Sequence, residues 1–219
     1  VDVLIVTVAL AVVVWPSRSV TLAVMTWVPT ARVATVTVAP VPRLPARLDD
    51  QRTEGIPIDV RFHGTLTEEQ EKAAVALAAH DIGIFVAPPG SGKTVVAADL
   101  IARRGRSTLV LVHRTQLLDQ WVAQLSRLLD LPRKEIGRIG GGKRKPTGRI
   151  DVAMIQSLVR RGEVGEIVAG YGHVIVDECH HVSAVSFERV MREVKARYIT
   201  GLTATPYRRD GHHPILRLQ

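Results

Sequence analysis

The sequence predicts an α/β domain with a mostly parallel sheet that is flanked by helices. Two observations lead to this prediction. From about residue 49 onward, short apolar segments alternate with longer segments of helical periodicity, and buried strands separated by helices are typical of a parallel sheet covered on both faces. The size also fits, because 219 residues with 46% hydrophobic and 23% charged residues suffice for one such domain and an appendage.

Five segments are predicted strands because each is a short apolar run. They cover residues 82–88, 108–113, 151–156, 173–178 and 197–205. Three intervening segments have the apolar spacing of helices. One begins at Lys93, and the others extend from Arg114 to Leu129 and from Ala184 to Val194.

Residues 1–48 differ in composition from residues 49–219, which we assign to the domain itself. Asp2 is the only acidic residue before Asp49, and the apolar run from Val3 to Trp15 is shorter than the roughly 20 residues of a membrane-spanning helix. The run also lacks the flanks of a signal peptide, which argues against a membrane anchor. Two interpretations stay open: a β-prone extension that packs on the domain or stays poorly ordered, and a segment that is not a natural part of the fold.

Charge and cysteine content restrict the partners and the compartment. The net charge of +8 favours a polyanionic partner, although basic surfaces are far commoner than specific nucleic-acid sites. Cys179 is the single cysteine, which excludes an internal disulfide framework and fits a reducing cytoplasm.

The stretch APPGSGKT, residues 87–94, follows a predicted strand and opens a predicted helix. Glycines let the backbone approach a phosphate, and successive N–H groups at a helix N-terminus carry partial positive charge. Lys93 would reach the β- and γ-phosphates of ATP, and Thr94 would place its hydroxyl on Mg²⁺. Ala87 stands where the common pattern has its first glycine, so a glycine turn without a ligand is the alternative for this stretch alone.

The stretch VIVDECHH, residues 174–181, ends a predicted strand in two carboxylates. Asp177 would lie near the metal at the carboxyl edge of the sheet, where open α/β sheets bind ligands, and Glu178 would orient or deprotonate the attacking water. A cysteine nucleophile or a zinc site is the competing interpretation. Cys179, His180 and His181 are too close in sequence to chelate one zinc comfortably.

Five motifs in order, APPGSGKT, LVHRTQLLDQW, MIQSL, VIVDECHH and GLTATP, resemble the first RecA-like domain of superfamily 2 helicases and translocases of the DExH type. Within that group the chain is most similar to bacterial restriction-enzyme motor subunits and XPB-like helicases. The resemblance extends over about Phe62 to Pro214. It implies a RecA-like P-loop NTPase domain with ATP and Mg²⁺ as cofactors, and DNA or RNA bound through its backbone without sequence specificity.

The resemblance also implies roles for the residues that match each motif. The catalytic residues would be Lys93, Asp177, Glu178 and His180, and the metal would be held by Thr94 and Asp177. The nucleotide would be bound by Gln70, Pro89, Gly90, Ser91, Gly92, Lys93 and Thr94. Contacts to nucleic acid, and coupling of those contacts to the nucleotide, would fall to His113, Arg114, Gln156, Ser157, Thr203 and Thr205.

Gln70 has two interpretations. It lies three residues after Thr67 and is placed to complete a capping box at a helix N-terminus. The resemblance instead implies a glutamine that contacts adenine, with Phe62 upstream as a stacking residue. One side chain cannot easily do both.

The segment from Gly140 to Arg149 carries four basic residues among glycines and is predicted to be a loop. It could follow a nucleic-acid backbone, or it could be a solvated flexible loop.

The resemblance implies that a second RecA-like domain completes the site, since in this superfamily that domain supplies the arginine fingers. We therefore expect very weak ATPase activity and no unwinding from the 219-residue chain alone, because a finger contributes about 10³ to 10⁵ in rate. The predicted function is a motor domain of a helicase or translocase. The alternatives are a truncated, non-enzymatic nucleotide- or nucleic-acid-binding module and an unrelated P-loop kinase.

Overall fold

The computed structural model describes residues 6–14, 20–27, 50–160, 163–164, 166–178 and 184–204. The strands in these residues are β1 Val6–Val14, β2 Val20–Trp27, β3 Ile82–Val86, β4 Thr108–Val112, β5 Ile136–Gly140, β6 Lys143–Lys145, β7 Ile150–Met154, β8 Val159–Arg160, β9 Glu163–Val164, β10 His173–Val176 and β11 Tyr198–Thr203. The α-helices are α1 Glu68–Ala78, α2 Lys93–Arg104, α3 Thr115–Leu128, α4 Ile155–Leu158 and α5 Ala184–Glu193. Short 3₁₀ turns lie at Arg133–Glu135 and Glu166–Gly170.

The described part of the chain forms a nine-stranded sheet in the order β2-β1-β3-β11-β10-β4-β7-β5-β6. The seven strands from β1 to β5 in this order pair in parallel, and β2 and β6 add one antiparallel strand at each edge. Strands β8 and β9 form a separate antiparallel pair. The prediction of a mostly parallel sheet with helices is therefore confirmed.

Helices cover both faces of the sheet because the inner strands alternate their apolar side chains between two cores. On β4, Val110 and Val112 belong to one core and Leu109 and Leu111 to the other, as the two-residue period of a strand requires. The first core also contains buried residues of α1, α2 and α3. Val190 of α5 lies in the second core.

Strands lie at both edges of the predicted sheet: one replaces a predicted loop, and the other falls in the N-terminal segment, for which a β-prone extension was one interpretation. The segment Gly140–Arg149, expected to be a loop, contains β6, which pairs with β5 in the register Ile139↔Arg144. At the opposite edge, β1 pairs in parallel with β3 in the register Val12↔Ile84. Neither β5 nor β6 has the apolar run that identifies a buried strand, because both sit toward an edge of the sheet.

The parallel arrangement brings the carboxyl ends of the strands to one edge. Residues 87–94 follow β3, residues 113–114 follow β4, residues 155–157 follow β7, and residues 177–178 follow β10. The post-strand residues of four of the five motifs therefore lie at this carboxyl edge, which is where open α/β sheets bind ligands.

The opposite, amino edge is held by a buried arginine at the end of α2. Arg104 Nη2 donates to the carbonyl oxygens of Leu77 and His80, and Nη1 donates to Thr200 Oγ1 at 3.1 Å and to His173 Nε2 at 2.7 Å. Burial lowers the pKa of Arg104 to about 10, so the guanidinium stays charged. It ties two helices to two strands.

Within the described residues, no helix has both the length and the apolar character needed to cross a membrane.

Candidate nucleotide and nucleic-acid site

The loop after β3 has the backbone geometry of a phosphate cradle. Gly90 and Gly92 have φ values of 80° and 82°, which L side chains rarely adopt. A Cβ atom at Gly92 would also lie 2.4 Å from Gln70 Nε2, whereas the space around Gly90 is open. No side chain caps the N-terminus of α2, so its first N–H groups are available to an anion.

Lys93 folds back over this loop. Its Nζ atom donates to the carbonyl oxygens of Ala87 at 2.8 Å and Pro88 at 3.3 Å. The ammonium group is thus held inside the cradle by two neutral acceptors, which phosphate oxygens would replace with stronger, charged partners. The loop and Lys93 together fit the triphosphate that the sequence predicted.

Gln70 forms the predicted capping box and also makes a contact with the phosphate loop that the sequence did not predict. Its side-chain oxygen accepts from Thr67 N at 2.9 Å, and Thr67 Oγ1 accepts from Gln70 N at 3.3 Å, so the capping box is confirmed. Its Nε2 atom donates to Ser91 O at 2.9 Å. Because the amide has two polar atoms, one buried side chain fixes the start of α1 and supports the phosphate loop. The adenine contact stays a prediction.

Asp177 lies buried at the end of β10, with both carboxylate oxygens bonded. Oδ2 accepts from Trp121 Nε1 at 2.7 Å, and Oδ1 accepts from the backbone N–H of Glu178 at 3.0 Å. Burial raises the pKa of Asp177, and the neighbouring Glu178 carboxylate raises it further, whereas the Trp121 hydrogen bond and the charge of Lys93 lower it. A bound cation would favour the ionised form.

Glu178 has a left-handed backbone, with φ at 48°. For a residue other than glycine this conformation costs on the order of 1 kcal/mol. The turn aims the half-buried Glu178 side chain at a pocket instead of continuing the strand. Strained conformations of this kind concentrate at functional sites.

A pocket of about 350 Å³ lies beside Glu178 at the carboxyl edge. It is lined by Pro89, His113, Arg114, Gln116, Leu117, Gln120, Glu178 and Ala204. Pro89 comes from the phosphate loop, and Arg114 comes from the start of α3. The pocket therefore adjoins both the predicted nucleotide-binding residues and the predicted nucleic-acid residues.

The remaining predicted residues of the described chain line the same edge. Arg114 is exposed at the N-cap of α3, and Gln156 and Ser157 lie in α4, with Gln156 exposed. Thr203 is buried at the end of β11, and its carbonyl oxygen accepts from Ala87 N at 3.0 Å. This bond joins the predicted coupling strand to the first residue of the phosphate loop.

Some predictions concern residues outside those that the structure describes. They are the predicted roles of His180 and Thr205, and the alternative cysteine-nucleophile or zinc site at Cys179, His180 and His181. Among the described residues, no group of three or more His, Cys, Asp or Glu side chains could hold a metal ion. A Mg²⁺ ion in a phosphate-loop site needs fewer protein ligands, since phosphates and waters supply the rest.

The sequence interpretation missed the role of Trp121. It stands in the quoted motif LVHRTQLLDQW, but its only pattern signal is the buried face that it shares with Leu118 and Leu125 on α3. That spacing predicts a core residue. No sequence pattern indicates that the indole N–H meets the Asp177 carboxylate 56 positions later.

The phosphate loop after β3, the Asp-Glu pair after β10 and the mostly parallel sheet define a RecA-like P-loop nucleotide-binding domain. Residues 63–208 match the family described as "Type III restriction enzyme, res subunit". The chain belongs to this family, and membership implies that the site uses a nucleotide. The match coincides closely with the extent of the resemblance seen in the sequence.

Relatives and solved structures agree with this assignment. The chain is 32% identical over 188 residues to "Putative DNA 3'-5' helicase Rad25" of Halobacterium salinarum, covering 82% of this chain and 31% of the relative. It is 33% identical over 165 residues to "DNA 3'-5' helicase XPB" of Mycobacterium tuberculosis, covering 72% and 30%. The chain therefore spans about a third of the length of these curated relatives.

Two solved structures support the fold. The UvsW helicase from bacteriophage T4 has a TM-score of 0.58 at 19% identity, covering 68% of this chain and 56% of that one. The Sulfolobus solfataricus SWI2/SNF2 ATPase core in complex with dsDNA has a TM-score of 0.55 at 16% identity, covering 69% and 34%. Both likenesses concern the fold, and the family match together with the curated relatives assigns that fold to the first RecA-like domain of a superfamily 2 helicase.

Proposed function

We propose that this chain is the ATP- and nucleic-acid-binding motor domain of a DNA helicase or translocase. It would couple ATP hydrolysis to movement on nucleic acid when a second RecA-like domain completes the cleft. The observation that carries the proposal is the pocket whose wall includes both Glu178 and Arg114. Five of the similar curated relatives are named DNA helicases or translocases and one is named an RNA helicase, which favours DNA.

The nucleotide would bind with its phosphates on the loop around Gly90 and Gly92. Lys93 would exchange the carbonyl oxygens of Ala87 and Pro88 for phosphate oxygens. Thr94 and Asp177 would hold Mg²⁺, which would neutralise charge on the transferring phosphoryl group. The cradle and the buried carboxylate fit these two cofactors.

Glu178 would orient or deprotonate the water that attacks the terminal phosphate. Its strained backbone and its place in the pocket wall aim the carboxylate away from the strand axis. Asp177 would serve the metal instead, because its carboxylate is buried and held in place by the Trp121 indole and the Glu178 backbone N–H. The two adjacent acids thus have separate roles.

Coupling to nucleic acid would pass through the pocket. Arg114, at the start of α3, would bind a backbone phosphate. Trp121 lies two helical turns after Arg114 on the same helix, and its indole N–H donates to Asp177. A displacement of α3 on nucleic-acid binding would therefore reach the metal-binding acid directly. The Thr203 carbonyl bond to Ala87 offers a second connection, from β11 to the phosphate loop.

The test is ATP binding and turnover by the 219-residue chain at low salt, with and without single- and double-stranded DNA. We expect Mg²⁺-dependent binding that Lys93→Ala abolishes, and very weak turnover that DNA raises and Glu178→Gln removes. Binding without any turnover would favour the non-enzymatic module. Failure of the folded chain to bind nucleotide, or turnover that both variants retain, would overturn the proposal.

A further inference from the structure

We propose that the β5–β6 hairpin is a phosphate-backbone contact site, in which Lys143, Arg144 and Lys145 extend the nucleic-acid track beyond Arg114. The inference rests on the proposed function, because it names a further part of the same nucleic-acid surface. Its ligand is the phosphodiester backbone of DNA, recognised by charge.

The position of the hairpin in the sheet places it in line with the predicted contacts. Strands β4, β7, β5 and β6 are consecutive neighbours, and the first three are parallel. Arg114 follows β4, Gln156 follows β7, and the turn Gly141–Gly142 follows β5, all at the carboxyl edge. Three strand spacings of about 4.8 Å span roughly 14 Å, the length of about four phosphates along one strand of DNA at about 3.4 Å each.

Hydrogen bonds anchor the connection from the hairpin to β7, and packing anchors the hairpin turn. The buried carboxylate of Asp151 accepts from Thr147 N at 2.9 Å and Gly148 N at 3.0 Å, and it also accepts from the hydroxyl of Tyr171. At the turn, Gly141 packs so closely that a Cβ atom would lie 3.0 Å from Thr115 Cγ2. The turn therefore sits against the start of α3.

The basic side chains emerge on both sides of the sheet edge. Arg144 is opposite Ile139 in the register, so it shares the face of the second core, and its Nη1 atom lies 3.5 Å from Ser157 O. Lys143 and Lys145 project to the other face, on the side of α3. Positive charge therefore lies on both faces of the sheet beside the predicted nucleic-acid contacts. Arg144 reaches Ser157, which the sequence already predicted to contact the nucleic-acid backbone.

These three charges are unmatched, unlike the other basic residues of the same region. Arg138 forms an ion pair with Asp119, and Arg149 lies 3.9 Å from Glu135. Over the residues that the structure describes, no acid lies within ion-pair distance of Lys143, Arg144 or Lys145, and all three are exposed. Unpaired surface cations at a ligand-binding edge attract a polyanion.

The experiment measures the salt dependence of DNA binding by the 219-residue chain. The hairpin variant is Lys143→Ala/Arg144→Ala/Lys145→Ala. The matched control is Arg127→Ala/Arg133→Ala/Lys134→Ala, which removes the same charge from exposed residues near the amino edge of the sheet. Fluorescence anisotropy with labelled single- and double-stranded DNA, each at several salt concentrations, gives the affinity and the slope of log affinity against log salt.

We expect the hairpin variant to reduce that slope by about 2 to 3, because each lost phosphate contact removes about 0.7 to 0.9. The control should change the slope by less than about half a unit. Equal losses in both variants, or an unchanged slope in the hairpin variant, would overturn the hairpin proposal while leaving the proposed function standing. Absence of DNA binding by the unaltered chain would instead reject both.

A second hairpin variant distinguishes the loss of charge from a folding defect. Lys143→Gln/Lys145→Gln keeps Arg144 and its contact with Ser157, and both replaced side chains are exposed. With circular dichroism unchanged, the slope should fall by about 1 to 2. An unchanged slope in this folded variant would contradict the proposal.

Discussion

Replacing Trp121 with phenylalanine removes the indole N–H that donates to Asp177 while keeping an aromatic ring in the core. Both residues are buried, with 2% and 8% of their surface exposed, so water cannot easily take the place of the lost donor. The substitution therefore isolates one hydrogen bond between α3 and the predicted metal-binding acid.

The magnitude follows from two contributions. A hydrogen bond to a charged group contributes about 1.5 to 3 kcal/mol to stability, and the smaller ring leaves a cavity that costs about 1 kcal/mol. We expect the free energy of unfolding to fall by about 3 kcal/mol at pH 7.5. The hydrogen-bond part depends on the charge of Asp177, whereas the cavity part does not.

The pH dependence has a definite sign. The pKa of Asp177 is raised in the folded chain, so the folded state holds this proton more tightly than the unfolded state and stability falls as pH rises through the raised pKa. Loss of the Trp121 donor raises that pKa further. The destabilisation by Trp121→Phe should therefore be largest above the raised pKa and shrink toward the cavity contribution as pH falls below it.

Urea unfolding followed by far-UV circular dichroism at pH 7.5 and pH 4.5 measures both contributions. Leu125→Val, on the same buried face of α3, is the control for a cavity alone and should lose the same free energy at both pH values. A double-mutant cycle with Asp177→Asn should give a coupling of about 1 to 2 kcal/mol at pH 7.5. A pH-independent loss together with additive variants would refute the reasoning.

Two further predictions concern Gln70 and His173. Gln70→Glu keeps one oxygen for the capping box but replaces the donor to Ser91 O with a second oxygen, so the nucleotide Kd should rise several-fold and stability should fall by about 1 to 3 kcal/mol. Gln70→Ala should lose both the capping box and the loop contact. Equal nucleotide affinity in the two variants and the wild type would contradict this role. Burial and the charge of Arg104 hold the pKa of His173 well below its ordinary value, so the unfolded state binds a proton that the folded state does not, and stability should fall by up to about 1.4 kcal/mol per pH unit below pH 6.5. Denaturation of His173→Gln across pH 5 to 7 should show that slope reduced by about one proton.

The sequence predicted the inner strands because β3, β4, β7, β10 and β11 are apolar on both faces and separated by helices. It missed β6 because the letters KRK at a sheet edge are indistinguishable from a solvated loop, and only backbone pairing with β5 distinguishes them. Charged edge strands are common because they discourage pairing with other chains. Pattern analysis therefore predicts buried strands, whose residues must be apolar. It fails for exposed edge strands such as β6, whose residues can be as polar as those of a loop.

The location of the site was predictable for a different reason. Parallel strands end at one edge, so the order of the motifs alone predicts that the phosphate loop and the two acids meet. The contacts that position those groups were not predictable, since Trp121 to Asp177 and Gln70 to Ser91 each join residues from separate elements. The sequence pattern correctly places Trp121 in the core and Gln70 in a helix cap, but it does not show the second contact that each side chain makes.

Arg104 anchors the amino edge, on the far side of the sheet from the phosphate loop. Its Nη1 and Nη2 atoms donate to two carbonyl oxygens at the end of α1 and to one side chain on each of two strands, so we expect the amino edge to open less readily than the rest of the domain. Backbone amides near His173 and Thr200 should then exchange with solvent only on global unfolding, whereas those of the phosphate loop exchange through local opening. In the proposed motor function, the carboxyl edge would change conformation with the bound nucleotide while the Arg104 contacts keep the amino edge folded.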